Sequence, residues 1–290
     1  MFRGSFVALI TPFTTQNKID QKALESLVEW QIAEGTDGIV CCGSTGEGSV
    51  LNRAERKRVA SICVKVAAGR IPILVGTGTC DTRQSIQYTE DALNIGASGC
   101  LVITPYYNKP TQQGCLAHFA EVAKVGLPVI VYHNPPRTCI RLTLETLQAL
   151  SQIPGIVALK DSNRDLDLIR QSPLPVFSGD DDITYEILQA GGVGAISVIG
   201  NVIPRGWKQM ISSSKGKQLA ERYLPLCKAH FIETNPQCVK YVVSQMGRCQ
   251  PILRLPLLLP TQETRKALIQ TLVQLALYGR NRNLADRVLP

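Results

Sequence analysis

The sequence predicts a closed (β/α)8 barrel with a helical C-terminal extension, and three observations predict it. Short apolar runs alternate with amphipathic helical patterns eight times along the chain. The runs are apolar throughout, as in parallel strands covered by helices. The repeat occupies most of a 290-residue chain, a length that one α/β barrel absorbs. A doubly wound open sheet is the alternative arrangement of the same units.

The first run, S-F-V-A-L-I, begins near residue 5. A helix from about Asp20 to Glu34 comes next, with Leu24, Leu27 and Val28 facing inward and Gly35 ending it. The second run, G-I-V-C-C, begins near residue 38. Asn52 opens the following helix, with Glu55 three residues on as a capping box; Val59, Ile62, Cys63 and Val66 share one face before Gly69. The runs I-P-I-L-V, G-C-L-V-I and P-V-I-V-Y begin near residues 71, 99 and 128. The last three, G-I-V-A-L-K, P-V-F-S and G-A-I-S-V, begin near residues 155, 175 and 194. The repeat shortens from about 30 residues to about 20 in these units, which predicts short helices there. From about residue 225 strand signals cease and patterns such as K-A-L-I-Q-T-L-V-Q-L-A-L-Y take over. Residues 1–224 are therefore expected to form the catalytic barrel and 225–290 a helical extension packed on it.

Composition narrows the function classes. With 44% hydrophobic and 19% charged residues, the chain can bury a large core without disulfides or metals. None of the ten cysteines stands in C-x-x-C spacing, Cys41 and Cys42 are adjacent, and Cys63 and Cys100 fall at apolar positions. Buried thiols in a reducing compartment explain this pattern. The N-terminal apolar stretch is cut by Pro12, too short for a signal peptide, and no run approaches the roughly 18 apolar residues of a membrane span. The chain reads as soluble and cytoplasmic, with no membrane partner. The net charge of +8 raises the question of nucleic acid. Its basic residues are scattered, however, with a modest concentration at Arg280, Arg282 and Arg287 and no block that interleaves aromatic and basic residues. A solvated positive surface explains the charge, no nucleic-acid partner is expected, and such a surface also attracts anionic substrates.

The chemistry of such barrels lies at the carboxyl ends of the strands. The sixth run ends in Lys160, followed at once by Asp161. An amine in the barrel mouth loses hydration, which favours the neutral form that attacks a carbonyl to give a Schiff base. A solvated lysine paired with Asp161 is the plainer reading. The fifth run ends in Y-H-N-P-P-R-T, which places Tyr132 one strand from Lys160. A phenol there can shuttle protons, and Arg137 can fork a carboxylate. Packing at the rim and an ordinary surface arginine are the plainer readings of these two. The second run enters G-S-T-G-E, Gly43 to Glu47, whose N–H groups can hold a carboxylate but which lacks P-loop spacing. The fourth leads to Tyr106 and Tyr107 in T-P-Y-Y-N-K-P, on a loop that suits either an interface or an active site.

Two patterns are set aside. G-G-V-G at 191–194 precedes a strand, so it is no dinucleotide fingerprint. The aspartates of G-D-D-D, Gly179 to Asp182, could bind a divalent cation, but they equally suit the start of a helix, and no histidine supports a metal. No cofactor or metal is expected.

Taken together, G-S-T-G-E, P-Y-Y-N-K-P, Y-x-x-P-x-R-T and the lysine ending the sixth strand resemble the dihydrodipicolinate synthase family, pyruvate-dependent Schiff-base aldolases on a (β/α)8 barrel. The likeness runs from about residue 3 through the barrel. It implies that Lys160 condenses with pyruvate and that the resulting enamine attacks aspartate semialdehyde. It further implies a proton relay of Tyr132, Tyr107 and Ser44, with Tyr107 reaching in from a neighbouring subunit of a dimer or tetramer. Thr45 would hold the pyruvate carboxylate and Arg137 that of the semialdehyde, while Gly179 and Ile196 would line the pocket. The sequence departs from the family at Ser44 (usually threonine), His133 (usually asparagine) and Cys139 (usually glycine). Many relatives are inhibited by lysine; the matching positions here carry Gln84, Arg53, Arg56 and Cys80 beside a retained Tyr106, so insensitivity to lysine is expected. N-acetylneuraminate lyase, a 2-keto-3-deoxy sugar-acid aldolase and a catalytically silent binding homologue are the alternatives. Arg137 separates the synthases from the sialic acid lyases, which lack it.

Overall fold

The computed structural model of the chain describes residues 2–276. Eight strands close into one barrel in chain order: β1 (Gly4–Ala8), β2 (Gly38–Cys41), β3 (Ile73–Gly76), β4 (Gly99–Ile103), β5 (Val129–His133), β6 (Ile156–Asp161), β7 (Val176–Ser178) and β8 (Gly194–Ser197). All neighbours are parallel, and β8 returns to β1 with Phe6 opposite Ile196. Each apolar run forms a strand at its expected place, which decides for the closed barrel over the open sheet.

The covering helices are α1 (Gln21–Ala33), α2 (Arg53–Ala67), α3 (Thr82–Ile95), α4 (Gln112–Ala123), α5 (Pro135–Thr138), α6 (Leu144–Ser151), α7 (Leu166–Gln171), α8 (Thr184–Gln189) and α9 (Pro204–Ser212). Asp20 caps α1 by accepting the Ala23 N–H at 3.1 Å. Both halves of the Asn52–Glu55 capping box are formed at α2, whose Val59, Ile62 and Cys63 are buried and Val66 partly so. The short helices expected late in the barrel are α7 and α8, six residues each.

Alternation along the strands separates two cores. Phe6, Val40, Leu74, Ile130, Ala158 and Ile196 turn inward and, with Phe177 and Tyr132, fill the barrel interior. Their neighbours Val7, Ile39, Val131 and Leu159 turn outward against the helices. The Phe6 and Phe177 rings meet edge to face at 5.4 Å within this interior cluster.

Three further helices complete the described chain: α10 (Gly216–Ala229), α11 (Gln237–Gln245) and α12 (Gln262–Gln274). Helix α10 packs on α9 and α12, and α11 packs on α12. Residues 224 and 225 both lie inside α10, so one continuous helix joins the barrel to the extension. Helix α12 carries the expected K-A-L-I-Q pattern; residues 277 and 278, which end that pattern, and the tail arginines Arg280, Arg282 and Arg287 lie outside the described residues. All ten cysteines are free thiols; Cys63 and Cys100 are buried and Cys139 is exposed. No described helix is long and apolar enough to cross a membrane.

Candidate active site

Strand register settles where the amine of Lys160 goes. Tyr132 stands opposite Lys160 and His133 opposite Asp161 across β5 and β6. Alternation sends the first pair into the barrel and the second out towards the helices. Lys160 is only 6% exposed, and its Nζ lies 4.1 Å from the centroid of the Tyr132 ring. Asp161 is not its ion-pair partner. That carboxylate accepts from His133 Nδ1 at 2.9 Å and from the backbone N–H groups of Asn163 and Arg164 at 2.9 and 3.2 Å. His133 Nε2 in turn accepts the Leu142 N–H at 3.0 Å, which leaves the Nδ1 hydrogen for Asp161. The histidine thus ties the β5 end to β6 and to the turn before α6.

Above Tyr132 a short relay leads to the arginine. The Asn134 amide donates to Tyr132 Oη at 2.6 Å, and Asn134 Oδ1 caps α5 by accepting the Arg137 N–H at 3.1 Å. Arg137 itself donates to the Asn235 carbonyl at 3.1 Å, so its guanidinium is steadied at one nitrogen. Cys139 ends α5 at φ +57°, the left-handed conformation that glycine adopts most easily.

The G-S-T-G-E loop crosses the barrel mouth from β2. Thr45 is 3% exposed and its hydroxyl accepts from the Asn235 amide at 3.0 Å. Thr11 donates to the Gly46 carbonyl at 2.7 Å, and Arg56 to the Gly48 and Gly76 carbonyls at 2.5 and 2.7 Å. Arg56 also lies over the Tyr88 ring. Glu47 pairs with Lys240, both buried.

A cavity of about 310 Å³ opens over these groups, and Ser44, Tyr132 and Arg137 line it together with Tyr106 and Asn235. Lys160 stands behind the lining, against the ring of Tyr132. Gly179 leaves room for that lysine: a Cβ there would strike Ser162 Oγ and come within 3.1 Å of Lys160 Cε. Ile196 belongs to the barrel interior. Of the eight expected residues, Ser44, Tyr132 and Arg137 line the cavity, Lys160, Thr45, Gly179 and Ile196 lie behind its lining, and Tyr107 is 91% exposed at φ +71°. Burial raises the Tyr106 phenol above its ordinary value.

The three aspartates after β7 are engaged within the chain. Asp181 accepts the Val198 and Ile199 N–H groups at 2.9 and 2.8 Å, and burial pushes it up to about 6. Arg164 bridges Asp180 and Asp182 at 3.6 and 2.8 Å. Among the described residues no group of three or more His, Cys, Asp or Glu side chains is arranged to hold a metal ion.

Asn134, Asn235 and the Glu47–Lys240 pair escape a reading of the sequence alone. A signal exists for Lys240, the one charge among the buried Cys238, Val239, Tyr241, Val242 and Val243 of α11. A lysine in such a setting requires a partner.

An inward lysine stacked on a tyrosine at the mouth of a (β/α)8 barrel, with an arginine and a hydroxyl loop over it, defines a Schiff-base type of site. The model of the dihydrodipicolinate synthetase family matches residues 1–275, and the chain belongs to that family. It is 41% identical over 290 residues to the 4-hydroxy-tetrahydrodipicolinate synthase of Rhodospirillum centenum, covering 96% of this chain and 99% of that one. The crystal structure of dihydrodipicolinate synthase from Aquifex aeolicus superposes with a TM-score of 0.92 at 38% identity, covering 97% of this chain and 100% of that one. The chloride-inhibited dihydrodipicolinate synthase from Acinetobacter baumannii complexed with pyruvate gives 0.93 at 36% identity, over 96% of this chain and 100% of that one.

Proposed function

We propose that the chain is a 4-hydroxy-tetrahydrodipicolinate synthase, a lyase that condenses pyruvate with aspartate 4-semialdehyde on the route to diaminopimelate and lysine. The observation that carries this reading is the buried amine of Lys160 against the Tyr132 ring beneath the Arg137-lined cavity. Lys160 Nζ adds to the pyruvate carbonyl, water leaves, and the imine loses a C3 proton to give an enamine. The enamine carbon attacks the aldehyde carbon, whose oxygen takes up a proton and becomes the hydroxyl. The amino group of the semialdehyde then displaces Lys160 from the imine carbon and closes the ring. Tyr132, Ser44 and Tyr107 relay the protons. Thr45 and its loop hold the pyruvate carboxylate, Arg137 holds the semialdehyde carboxylate, and Gly179 and Ile196 shape the pocket.

The exposure of Tyr107 supports a homo-oligomer, a dimer or tetramer, in which this phenol completes a neighbour's site. Residues 1–224 carry the chemistry and the described helices beyond them form the extension, in a protein of the cytoplasm. Lysine does not inhibit it: Arg53 is held bidentate by Asp91 at 2.6 and 3.0 Å, and with Arg56 it presents positive charge where a diamino acid would need carboxylates.

The test is borohydride reduction with pyruvate and peptide mapping, followed by turnover with aspartate semialdehyde and with sugar aldehydes. The expected result is a pyruvyl adduct on Lys160 and turnover of the semialdehyde, unchanged by millimolar lysine. No adduct would leave a silent binding homologue; turnover of sugars alone would mean a sugar-acid aldolase.

A further inference from the structure

We propose that the buried Glu47–Lys240 pair sets the Ser44–Thr45 segment for the substrate carboxylate, so that the C-terminal helices take part in substrate binding. The inference rests on the proposed Schiff-base site.

Glu47 closes the G-S-T-G-E loop at φ +53°, ψ +35°. A residue with a Cβ is disfavoured there by about 1–2 kcal/mol, and glycine would adopt the conformation freely. A glutamate at this position is therefore explained by its side chain, not by its backbone. That side chain is fully engaged. Oε1 meets Lys240 Nζ, and Oε2 accepts the Arg254 N–H at 2.9 Å. The Lys240 ammonium and the Arg254 guanidinium lie 4.0 and 4.4 Å from the centroid of the Phe13 ring.

The backbone of the same residue governs the turn. The Glu47 N–H donates to the Ser44 carbonyl at 3.1 Å, and the Gly48 N–H donates to the Gly43 carbonyl at 3.0 Å. Fixing Glu47 thus fixes the turn from Ser44 to Gly46, which both bonds enclose. Helix α11 and the residues just before it grip the loop twice, through Lys240 on Glu47 and through Asn235 on Thr45. Stability alone is a poor reason for such a pair. Apolar groups of similar volume usually serve a core as well as a buried ion pair or better, whereas a pair that fixes a geometry is well attested. Glu47 and Lys240 are positioning residues in this account, since the Glu47 carboxylate is taken up by Lys240 and the Arg254 N–H although Glu47 borders the cavity.

The experiment compares wild type with Glu47→Gln, Lys240→Met and the double variant Glu47→Gln/Lys240→Met. The double variant leaves no charge buried alone, and keeps the fold testable where a single variant fails. Readouts are the thermal midpoint, kcat, the KM for pyruvate and the borohydride-trapped adduct. The expected result is a double variant melting within a few degrees of wild type, with a pyruvate KM raised tenfold or more. Its adduct on Lys160 should still form at saturating pyruvate. A folded double variant with unchanged KM overturns the proposal, and so does failure of every variant to fold, which would make the pair purely structural. No adduct in the wild type is a distinguishable result, because it overturns the Schiff-base site itself.

Discussion

Lys160 and Asp161 are neighbours in sequence and strangers in space. One residue of register along β6 turns the amine to the barrel mouth and the carboxylate to His133. The same parity explains Gly179, two residues beyond the inward Phe177, where a side chain would occupy the path of Lys160. Gly179→Ala should lower kcat about 10²-fold by displacing the amine on the order of 1 Å, with an unchanged far-UV spectrum. Retention of near-full kcat would refute that account. Cys139 makes the opposite case, a non-glycine held at φ +57° with its side chain exposed. Cys139→Gly should raise stability by about 1 kcal/mol, read as a higher urea midpoint. A lower midpoint would show that the thiol makes a contact worth more than the strain. Lys160, Tyr132 and Arg137 are legible in the sequence because each ends a recognisable strand or turn. The His133–Asp161 bond is not, because it depends on which way two strands 28 residues apart face each other.

At the level of elements, the strands are the easiest part to read, since both faces of each are covered and the runs are apolar throughout. Helix α5 is four residues of P-P-R-T, too short for any periodicity, and only its position after β5 marks it. The α2 start is legible as a capping box but its second function is not. Glu55 accepts the Asn52 N–H at 3.0 Å and also takes Arg254 at 2.8 and 2.5 Å. Arg254 holds that carboxyl below its usual value, in reach of the backbone that supports Glu47. Glu55→Ala should therefore cost about 2 kcal/mol by urea unfolding, more than the roughly 1 kcal/mol of a cap alone. A cost no larger than that of Asn52→Ala would mean that the arginine contact contributes nothing.

For the whole molecule, acid is the informative stress. His118 and His230 are buried, and burial pushes each down to about 4. A histidine with a depressed folded pKa contributes stability above its unfolded value near 6.5, and loses it as the pH falls towards 4. Asp181, raised to about 6 by burial, acts with the opposite sign, favouring the fold as it protonates below that pH. Burial raises Asp180 in the same direction as Asp181, but the two imidazoles carry the larger shifts, so stability should fall between pH 6.5 and 4, by on the order of 3 kcal/mol for each histidine. His118→Leu/His230→Leu should flatten that fall in a pH series of urea titrations; an unaltered slope would place the acid sensitivity elsewhere. The reach of Glu47 has a consequence for how the chain is made. Its partners Lys240 and Arg254 lie 193 and 207 residues downstream. At ribosomal speeds of roughly 5–20 residues per second, the loop waits about ten to forty seconds for its counter-charge. A nascent chain halted after β8 already holds Lys160, Tyr132 and Arg137, yet lacks the groups that fix the loop above them. If the pair sets the loop as proposed, competence is withheld until Lys240 and Arg254 have been translated.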